Sequence, residues 1–260
     1  MQTFKDIYNY RELLKSCVKK DIRGKYKGSV LGILWSFINP LLQVVVYWIV
    51  FPYLMRASSF DNYLCYLVTG IIPWTFFTTV VNNGTGTMIS NAGIIKKVYF
   101  PRQILLISQV ISGIINFFIS CIIILIFCIG TGAGVSWHLI YLLPVVLVQS
   151  VLSLGIIYIL SSVNVYLRDV EYIVQFILNM AFYGTPILYS MEMVPAGSIL
   201  HTLISINPLS VLVNCYRDIF LNHAIPNMGQ LAGVAGLSLV VLVIGHFIFN
   251  KLQRGFAEEL

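Results

Sequence analysis

The stretch DIRGKYKGSVLGILWSFINPLLQVVVYWIVF, Asp21–Phe51, decides the fold class of this chain. Four charges fall within its first seven residues: Asp21, Arg23, Lys25 and Lys27. No further charge occurs before Arg56. This uncharged run is longer than the ~20 apolar residues that a helix needs to cross the hydrocarbon core of a bilayer. The stretch therefore predicts a basic segment at a membrane surface that leads into a spanning helix.

Composition extends this interpretation to the whole chain. Of its 260 residues, 58% are hydrophobic and 10% are charged, whereas an ordinary soluble domain has about 45–50% and about 25%. So few charges would not cover a soluble globule of this size. The net charge of +6 favours contact with anionic lipid head groups over nucleic acid, because the cations flank apolar runs. We predict an all-α integral membrane protein with one transmembrane domain, residues 1–260.

The uncharged windows predict six spans. The longest, Gln103–Leu167, has 65 residues and is interrupted by the glycine-rich GTGAGVSWH at Gly130–His138, which favours a turn between two helices. Each span is predicted to be helical, because a lone backbone in lipid must satisfy its own hydrogen bonds. A β-barrel would instead show alternating strands of about 10 residues. The predicted spans are 30–53, 63–87, 104–129, 139–164, 172–188 and 231–250.

The distribution of Lys and Arg predicts the orientation. Fourteen of the 16 lie in residues 1–29, in the second-to-third and fourth-to-fifth connections, and in the tail. The opposite side holds only Arg56 and Arg217. Because basic loops stay in the cytoplasm, both termini are predicted to be cytoplasmic, in a plasma or inner membrane.

Residues 1–27 are predicted to form a cytoplasmic helix in the interface plane. Apolar residues recur there at helical spacing, with lysines mostly between them: Phe4, Ile7, Leu14, Val18 and Ile22. The alternative is a solvated basic tail. A cleaved signal peptide is not expected, since the basic region is long and contains acidic residues.

Residues 189–227 join the last two spans on the predicted outer side. The segment holds Pro195, Pro208 and Pro226, few charges, and apolar pieces such as SILHTLISI. These pieces are too short to cross a bilayer, so short re-entrant or interfacial helices fit. The alternative is one folded external loop.

Several kinds of site are not indicated by the sequence. There is no G-x-x-x-x-G-K-[ST] motif for ATP phosphates, and the four histidines are scattered without metal-ligand spacing. No metal or cofactor is therefore expected in this chain, and it is not expected to be an enzyme by itself. Cys65 and Cys215 both fall near the predicted outer side, so a bridge between them is possible, although their spacing does not support it. No Asp or Glu falls near a predicted midplane, where ion-coupled carriers usually keep one.

Five stretches carry a resemblance that covers essentially the full chain. They are DIRGKYKGSVLGILWSFINPLL, GIIPWTFFTTVVNNGTGTMISNAGIIKKVYFPRQIL, YLRDVEYIVQFILNMAFYGTPILYS, INPLSVLVNCYRDIFL and the ending GFAEEL. Together they resemble the membrane subunits of type-2 ABC exporters for polysaccharides, which include O-antigen, capsule and teichoic acid exporters.

The resemblance implies a homodimer of six-span permeases bound to two copies of a separate ATPase, which binds ATP and magnesium. It implies that a lipid-linked glycan of O-antigen type is exported through a channel between the two permeases. Segment 91–103 resembles the family's coupling helix, although its residues alone would indicate a basic cytoplasmic turn. The ATPase-coupling residues would be Gly93, Lys96, Lys97, Tyr99, Phe100, Pro101 and Arg102. Arg168, Asp169 and Glu171 would lie at the cytoplasmic mouth, and charge pairing within the helix explains them almost as well.

A glycan path needs hydroxyls, amides and aromatic faces. Two spans carry such residues at helical spacing: Ser36, Asn39, Gln43 and Tyr47 in the first, and Tyr172, Phe176, Asn179 and Tyr183 in the fifth. Either they line the channel or they are polar contacts between helices. For Thr75, Thr79 and Asn82 in the second span, helix packing is the favoured interpretation.

The residues alone are compatible with three other functions. A type-2 ABC permease for a small drug, peptide or lipid would share the topology. An integral-membrane enzyme acting on lipid-linked sugars would need paired carboxylates, but Asp169 and Glu171 point to different helix faces. A passive channel would need no ATPase. A neighbouring reading frame with an ATP-binding motif would favour transport over the last two.

Overall fold

The computed structural model describes residues 8–24, 34–55 and 62–260. Within these ranges the regular structure is entirely helical, as the sequence predicts. The α-helices are α1 Arg11–Gly24, α2 Trp35–Met55, α3 Tyr63–Ser90, α4 Ala92–Ile95, α5 Gln103–Gly130, α6 Leu142–Tyr166, α7 Val170–Tyr183, α8 Ile199–Ile206, α9 Pro208–Phe220, α10 Met228–Leu252 and α11 Phe256–Glu259. Short 3₁₀ turns occur at Trp137–Tyr141, Met191–Met193 and Gln253–Gly255.

Four of the described helices are long and apolar enough to span a membrane by length and composition: α3, α5, α6 with its preceding 3₁₀ turn, and α10. The pair α8 and α9, bent by 72°, makes a fifth if it is one span. The structure thus supports four to five candidate spans, and the predicted six are not confirmed. Two further helices are apolar but too short to count as spans by themselves. They are Ile38–Val50, which is part of α2, and α7, which has 14 residues.

Helix α7 ends before the predicted end of the fifth span, at Tyr183 rather than at residue 188. Pro186 follows three residues later. Since proline lacks the donor that a helix interior needs and restricts the residue before it, the backbone leaves the helix at Gly184. The Thr185 hydroxyl still donates to the Ala181 carbonyl (2.8 Å), which caps the end.

Helix α3 lies at the centre, with α2, α5, α6, α7 and α9 packed around it. The amphipathic α1 packs along α5, and its apolar residues Leu14, Val18 and Ile22 border an open groove that also touches Ile111. Basic side chains rim this groove. The helix predicted from the apolar spacing is therefore present, although Phe4 and Ile7 lie outside the described residues. Its placement in a membrane interface stays a prediction.

The most extensive contact joins α6 and α10, and it depends on two glycines. A Cβ on Gly155 would lie 2.7 Å from the backbone nitrogen of Leu242, and a Cβ on Gly245 would press on the carbonyl oxygen of Gly155. Small residues let helix backbones approach closely in a membrane, where dispersion contacts rather than hydrophobicity hold helices together.

Gly245→Ala is therefore expected to lower the thermal midpoint of the detergent-purified protein by several degrees, since overpacking a tight contact costs about 1–3 kcal/mol. Gly233→Ala is the matched control, because it lies in the same helix with open space where a Cβ would be. The control should leave the midpoint unchanged or raise it. Equal midpoints for the two variants would show that this contact is not tight.

Candidate functional site

A polar cavity of about 830 Å³ opens between α1, α3, α5 and α7. Its lining is rich in amides and hydroxyls, which are unusual on long apolar helices. These side chains are Asn82, Asn83, Asn91, Gln109, Asn116, Gln175, Thr79, Thr87, Ser90 and Ser112. Because unpaired amides are costly in hydrocarbon, such a cluster is stable only where water or a polar ligand fills the space.

Two hydrogen-bond acceptors of the lining have no partner among the described residues. They are the Ser112 hydroxyl oxygen and the Asn116 Oδ1. The Nδ2 of Asn116 donates to the Ser112 carbonyl at 2.9 Å, which fixes the orientation of the amide. Both oxygens are themselves buried, so they are exceptions to the rule that buried polar atoms have a partner, and the accessible amides and hydroxyls of the lining are the groups that face the cavity.

Charged groups lie at the end of the cavity near α1. Lys20 Nζ donates to Asn91 Oδ1 (2.8 Å), and the Ser108 hydroxyl donates to Asp21 Oδ2 (2.9 Å). Burial raises the pKa of the Asp21 carboxyl above its ordinary value, while the Ser108 hydrogen bond and Lys20 oppose this effect. These bonds attach α1 to the helices that line the cavity.

Of the predicted cytoplasmic-mouth residues, only Glu171 lines this cavity. Its carboxylate faces Gly86 of α3, where a Cβ would lie 3.3 Å from Oε1. Arg168 and Asp169 are exposed in the turn before α7. Within the described ranges the three form no ion pair with one another. The three predicted residues therefore do not form ion pairs with one another, and of the three only Glu171 reaches the polar cavity.

A second cavity, of about 150 Å³, shares Thr79, Gly113 and Asn116 with the first and extends to Trp35 and Asn39 of α2. Helix packing stays the interpretation of the threonine face, and its residues also border the cavities: Thr79 and Asn82 line the large one and Thr75 lines the small one. Polar residues of α5 lie across these cavities from them. The two cavities together run along α3, and the small one has a mixed polar and aromatic lining.

The predicted channel-lining residues of α2 occupy several environments. Asn39 lines the small cavity. Gln43 Nε2 donates to the Tyr47 hydroxyl at 3.4 Å, and the Tyr47 ring stacks on Phe182 at 5.8 Å. The side chain of Ser36 lies outside the described part of the structure. The α2 face is thus partly tied to α7 rather than wholly open.

The predicted lining residues of α7 form one outward face. Tyr172, Phe176, Asn179 and Tyr183 are all exposed, with 75% of Tyr172 and 66% of Phe176 accessible. They point away from the cavity within the chain. A polar-aromatic face of this kind is available to a second copy, to a substrate path or to lipid.

The segment predicted to contact an ATPase forms a separate surface. Residues 95–103 border a cavity of about 880 Å³ together with Tyr10, Asn250, Gln253 and Arg254. The lining holds four basic side chains, Lys96, Lys97, Arg102 and Arg254, and no acidic one. The Tyr99 side chain on this surface is 96% exposed. Because the surface is basic and accessible, it fits a partner that carries carboxylates.

The predicted coupling residues divide into exposed and anchoring groups. Gly93, Lys96, Lys97 and Tyr99 are exposed, whereas Phe100 is buried. The Arg102 guanidinium donates to the Gln253 carbonyl and lies over the Phe256 ring at 5.6 Å. Arg102 therefore fixes the segment to the tail and Phe100 fixes it to the core, with Pro101 between them, and the first four remain available to a partner.

Segment 189–227 is attached to the bundle by a buried arginine, which the sequence marked only as a charge on the predicted outer side. Arg217 of α9 is 5% accessible, its Nη2 donates to the Ile187 carbonyl at 2.9 Å, and its Cζ lies 3.6 Å from the Tyr66 ring centroid. Asn207 sets the bend before α9, since its side chain accepts from Leu209 N and donates to the Gly184 carbonyl. Residues 189–227 thus contain two short helices, and Arg217 clamps the second of them to α3.

Arg217→Lys is expected to lower the thermal midpoint by several degrees, because lysine keeps the charge but not the planar stacking on Tyr66. Arg168→Lys, at an exposed position, is the matched control and should leave the midpoint unchanged. Differential scanning fluorimetry of detergent-purified protein measures both. A midpoint unchanged in Arg217→Lys would show that the clamp does not stabilise the fold.

Little in the sequence marked the α5 side of the cavity. Gln109, Ser112 and Asn116 are among the few polar residues of a strongly apolar span. Their spacing of three and four residues places them on one helix face. This spacing is the sequence feature that indicates a shared polar face on α5. Among the described residues no cluster of three or more His, Cys, Asp or Glu has the arrangement of a metal site.

These features define a multi-pass helical membrane protein with a polar cavity and a basic surface suited to a partner. The chain belongs to the ABC-2 type transporter family, whose family model matches residues 12–221. It is 33% identical to the O-antigen export system permease protein RfbA of Myxococcus xanthus over 98% of each chain. It is 34% identical to the protein of the same name from Klebsiella pneumoniae, over 96% of this chain and 95% of the relative. The Polysialic acid transport protein KpsM of Escherichia coli is 23% identical over 90% and 91%. The resemblance deduced from the motifs is confirmed.

Proposed function

We propose that this chain is the permease subunit of an ATP-driven exporter that moves a lipid-linked polysaccharide of O-antigen type out of the cytoplasm. The observation that carries the proposal is the 33–34% identity to O-antigen export permeases over nearly the full length. The amide-rich cavity supports it, because sugars are bound through many hydroxyl hydrogen bonds. The permease itself holds no cofactor, and ATP with magnesium belongs to the partner ATPase.

The proposed topology has six crossings with both termini in the cytoplasm of a plasma or inner membrane. Helix α2, with 21 residues, is about 31 Å long, close to the ~30 Å hydrocarbon core. Helix α7, with 14 residues, is about 21 Å long, so the non-helical residues 184–190 complete its crossing. The strong excess of Lys and Arg on one side supports the orientation.

The proposed coupling runs through the basic surface. Two copies of the permease bind two copies of an ATPase, whose carboxylates meet Lys96 and Lys97 while Tyr99 packs into the ATPase. Movement of the ATPases on closure around ATP is passed to α5, because Phe100 and Arg102 anchor the segment at the start of that helix. The fit of an uncompensated basic surface to an acidic partner supports this assignment.

The proposed substrate path has two parts. The polar head of the lipid-linked glycan enters the large cavity beside α1 and contacts Asn116 and Glu171. The glycan then passes between the two copies, along the outward α7 face of Tyr172, Phe176, Asn179 and Tyr183 and the α2 residues Ser36, Asn39, Gln43 and Tyr47. The clamped segment 189–227 closes the outer end at rest.

Deletion of the reading frame tests the function. Loss of the surface polymer with build-up of a lipid-linked polymer in the cytoplasm is the expected result, and the sugar composition of that polymer distinguishes O-antigen from capsule or teichoic acid. An unchanged surface polymer would favour a permease for small molecules. Accumulation of an unextended lipid-linked sugar would instead indicate an enzyme of glycolipid assembly.

A further inference from the structure

Two cysteines that are distant in the sequence meet at one end of the bundle. Cys65 lies in the first turn of α3, and Cys128 lies in the last turn of α5, 63 residues later. Their Sγ atoms are 2.9 Å apart, and both side chains are buried. The other three cysteines, Cys17, Cys121 and Cys215, are also free thiols in the structure.

We propose that Cys65 and Cys128 form an intramolecular disulfide in the mature permease. A covalent S–S bond is about 2.05 Å long, so closing it requires a shift of about 0.9 Å from the present separation. This inference rests on the topology given under the proposed function, which places the start of α3 and the end of α5 at the outer surface. Disulfides persist in compartments outside the cytoplasm, where thiols are not kept reduced.

The chemistry is a thiol–disulfide exchange with an extracytoplasmic protein disulfide. One cysteine thiolate attacks that disulfide and forms a mixed disulfide, and the second cysteine then displaces the oxidant. The two S–H bonds of the permease are lost and one S–S bond forms. The two electrons and two protons reduce the oxidant to its dithiol. The exchange takes place during insertion, before packing of α3 against α5 buries both sulfurs.

The bridge would fix the outer ends of two central helices to each other. Cys128 Sγ also lies 3.8 Å from the Phe220 carbonyl at the end of α9. The position is therefore next to the end of the clamped outer segment, and the bridge gives that segment a rigid base. This is a different pairing from Cys65 with Cys215, which the sequence left open.

Counting free thiols tests the proposal. Growing cells are quenched in acid, the permease is denatured, and each free thiol is tagged with a maleimide polymer that retards the protein on a gel. Three tags are expected without reductant and five after reduction. Five tags without reductant would overturn the proposal, and a reductant-sensitive band of twice the mass would replace it with a bridge between copies.

Two variants assign the pair. Cys128→Ser is expected to carry four tags with or without reductant, because Cys65 then has no partner. Cys215→Ser should still gain two tags on reduction, from two to four, and a constant count of four would show that Cys215 is the true partner. Thiol counts do not depend on export, so a failed bridge and a failed transport function are recognised separately.

Discussion

Replacement of Lys96 and Lys97 by glutamate is expected to reduce surface polymer at least tenfold while the permease remains in the membrane. Both lysines are exposed on a surface with four cations and no acidic residue, and neither forms an ion pair within the described ranges. Reversing two charges places like charges against the proposed acidic ATPase surface. Close interfacial charge pairs are coupled by about 1.5–7 kcal/mol, and 1.4 kcal/mol is already a tenfold change in affinity.

The measurements are polymer at the cell surface, permease in the membrane fraction, and ATPase retained on the purified permease. Lys251→Glu is the control, because this exposed lysine lies on the same side but does not line the basic cavity. Glu-to-Lys changes in the ATPase should restore binding. Full export by the double variant with normal ATPase retention would remove this segment as the coupling surface.

The neighbouring aromatic residues require separate tests. Tyr99→Ser removes an almost fully exposed ring and should weaken coupling without unfolding the permease. Phe100→Ser opens a gap in the core and should lower the amount of folded protein. A combined replacement of both would confuse the two effects, so Tyr99 alone is the informative position.

The second large effect is expected from Asn116→Leu, which should reduce export about tenfold at an unchanged level of membrane-inserted permease. Asn116 lines both cavities, and its Oδ1 has no partner among the described residues. Leucine removes the amide group and adds apolar surface where the glycan would bind. Leaving a buried polar group of the substrate unpaired costs about 1–3 kcal/mol. Leucine is well tolerated in a membrane-spanning helix, so insertion should persist.

Three comparisons make this result specific. Asn222→Leu, at an exposed position in the loop after α9, should leave export unchanged. Asn116→Gln keeps both donor and acceptor and should recover much of the export. Asn179→Leu reports separately on the outward face of α7. A loss of export in Asn179→Leu but not in Asn116→Leu would place the whole substrate path between the copies.

Local residue types explain why the polar face of α7 is visible in the sequence, whereas that of α5 is less visible. Amides alternate with aromatic residues along α7, so its polar face is visible in the sequence, and the structure leaves that face exposed. In α5 the polar residues are few and stand in a sequence made mostly of apolar residues. Such residues acquire a role only when α1, α3 and α7 bring other polar residues to the same cavity. Arg217 is similar, because its partner ring on Tyr66 and its carbonyl acceptor at Ile187 are far from it in sequence.

The sequence by itself determined that the chain lies in a lipid bilayer, that it is helical and which family it belongs to. Runs of uncharged residues and their basic flanks are local properties that a bilayer selects directly. It also located the basic segment before α5. Only the tertiary structure decided which polar residues share a cavity, that Phe100 is an anchor and Tyr99 is exposed, and that Cys65 meets Cys128. The physical reason is that these properties depend on contacts between helices, and nothing in a helix's own residues specifies which neighbour its polar face will meet.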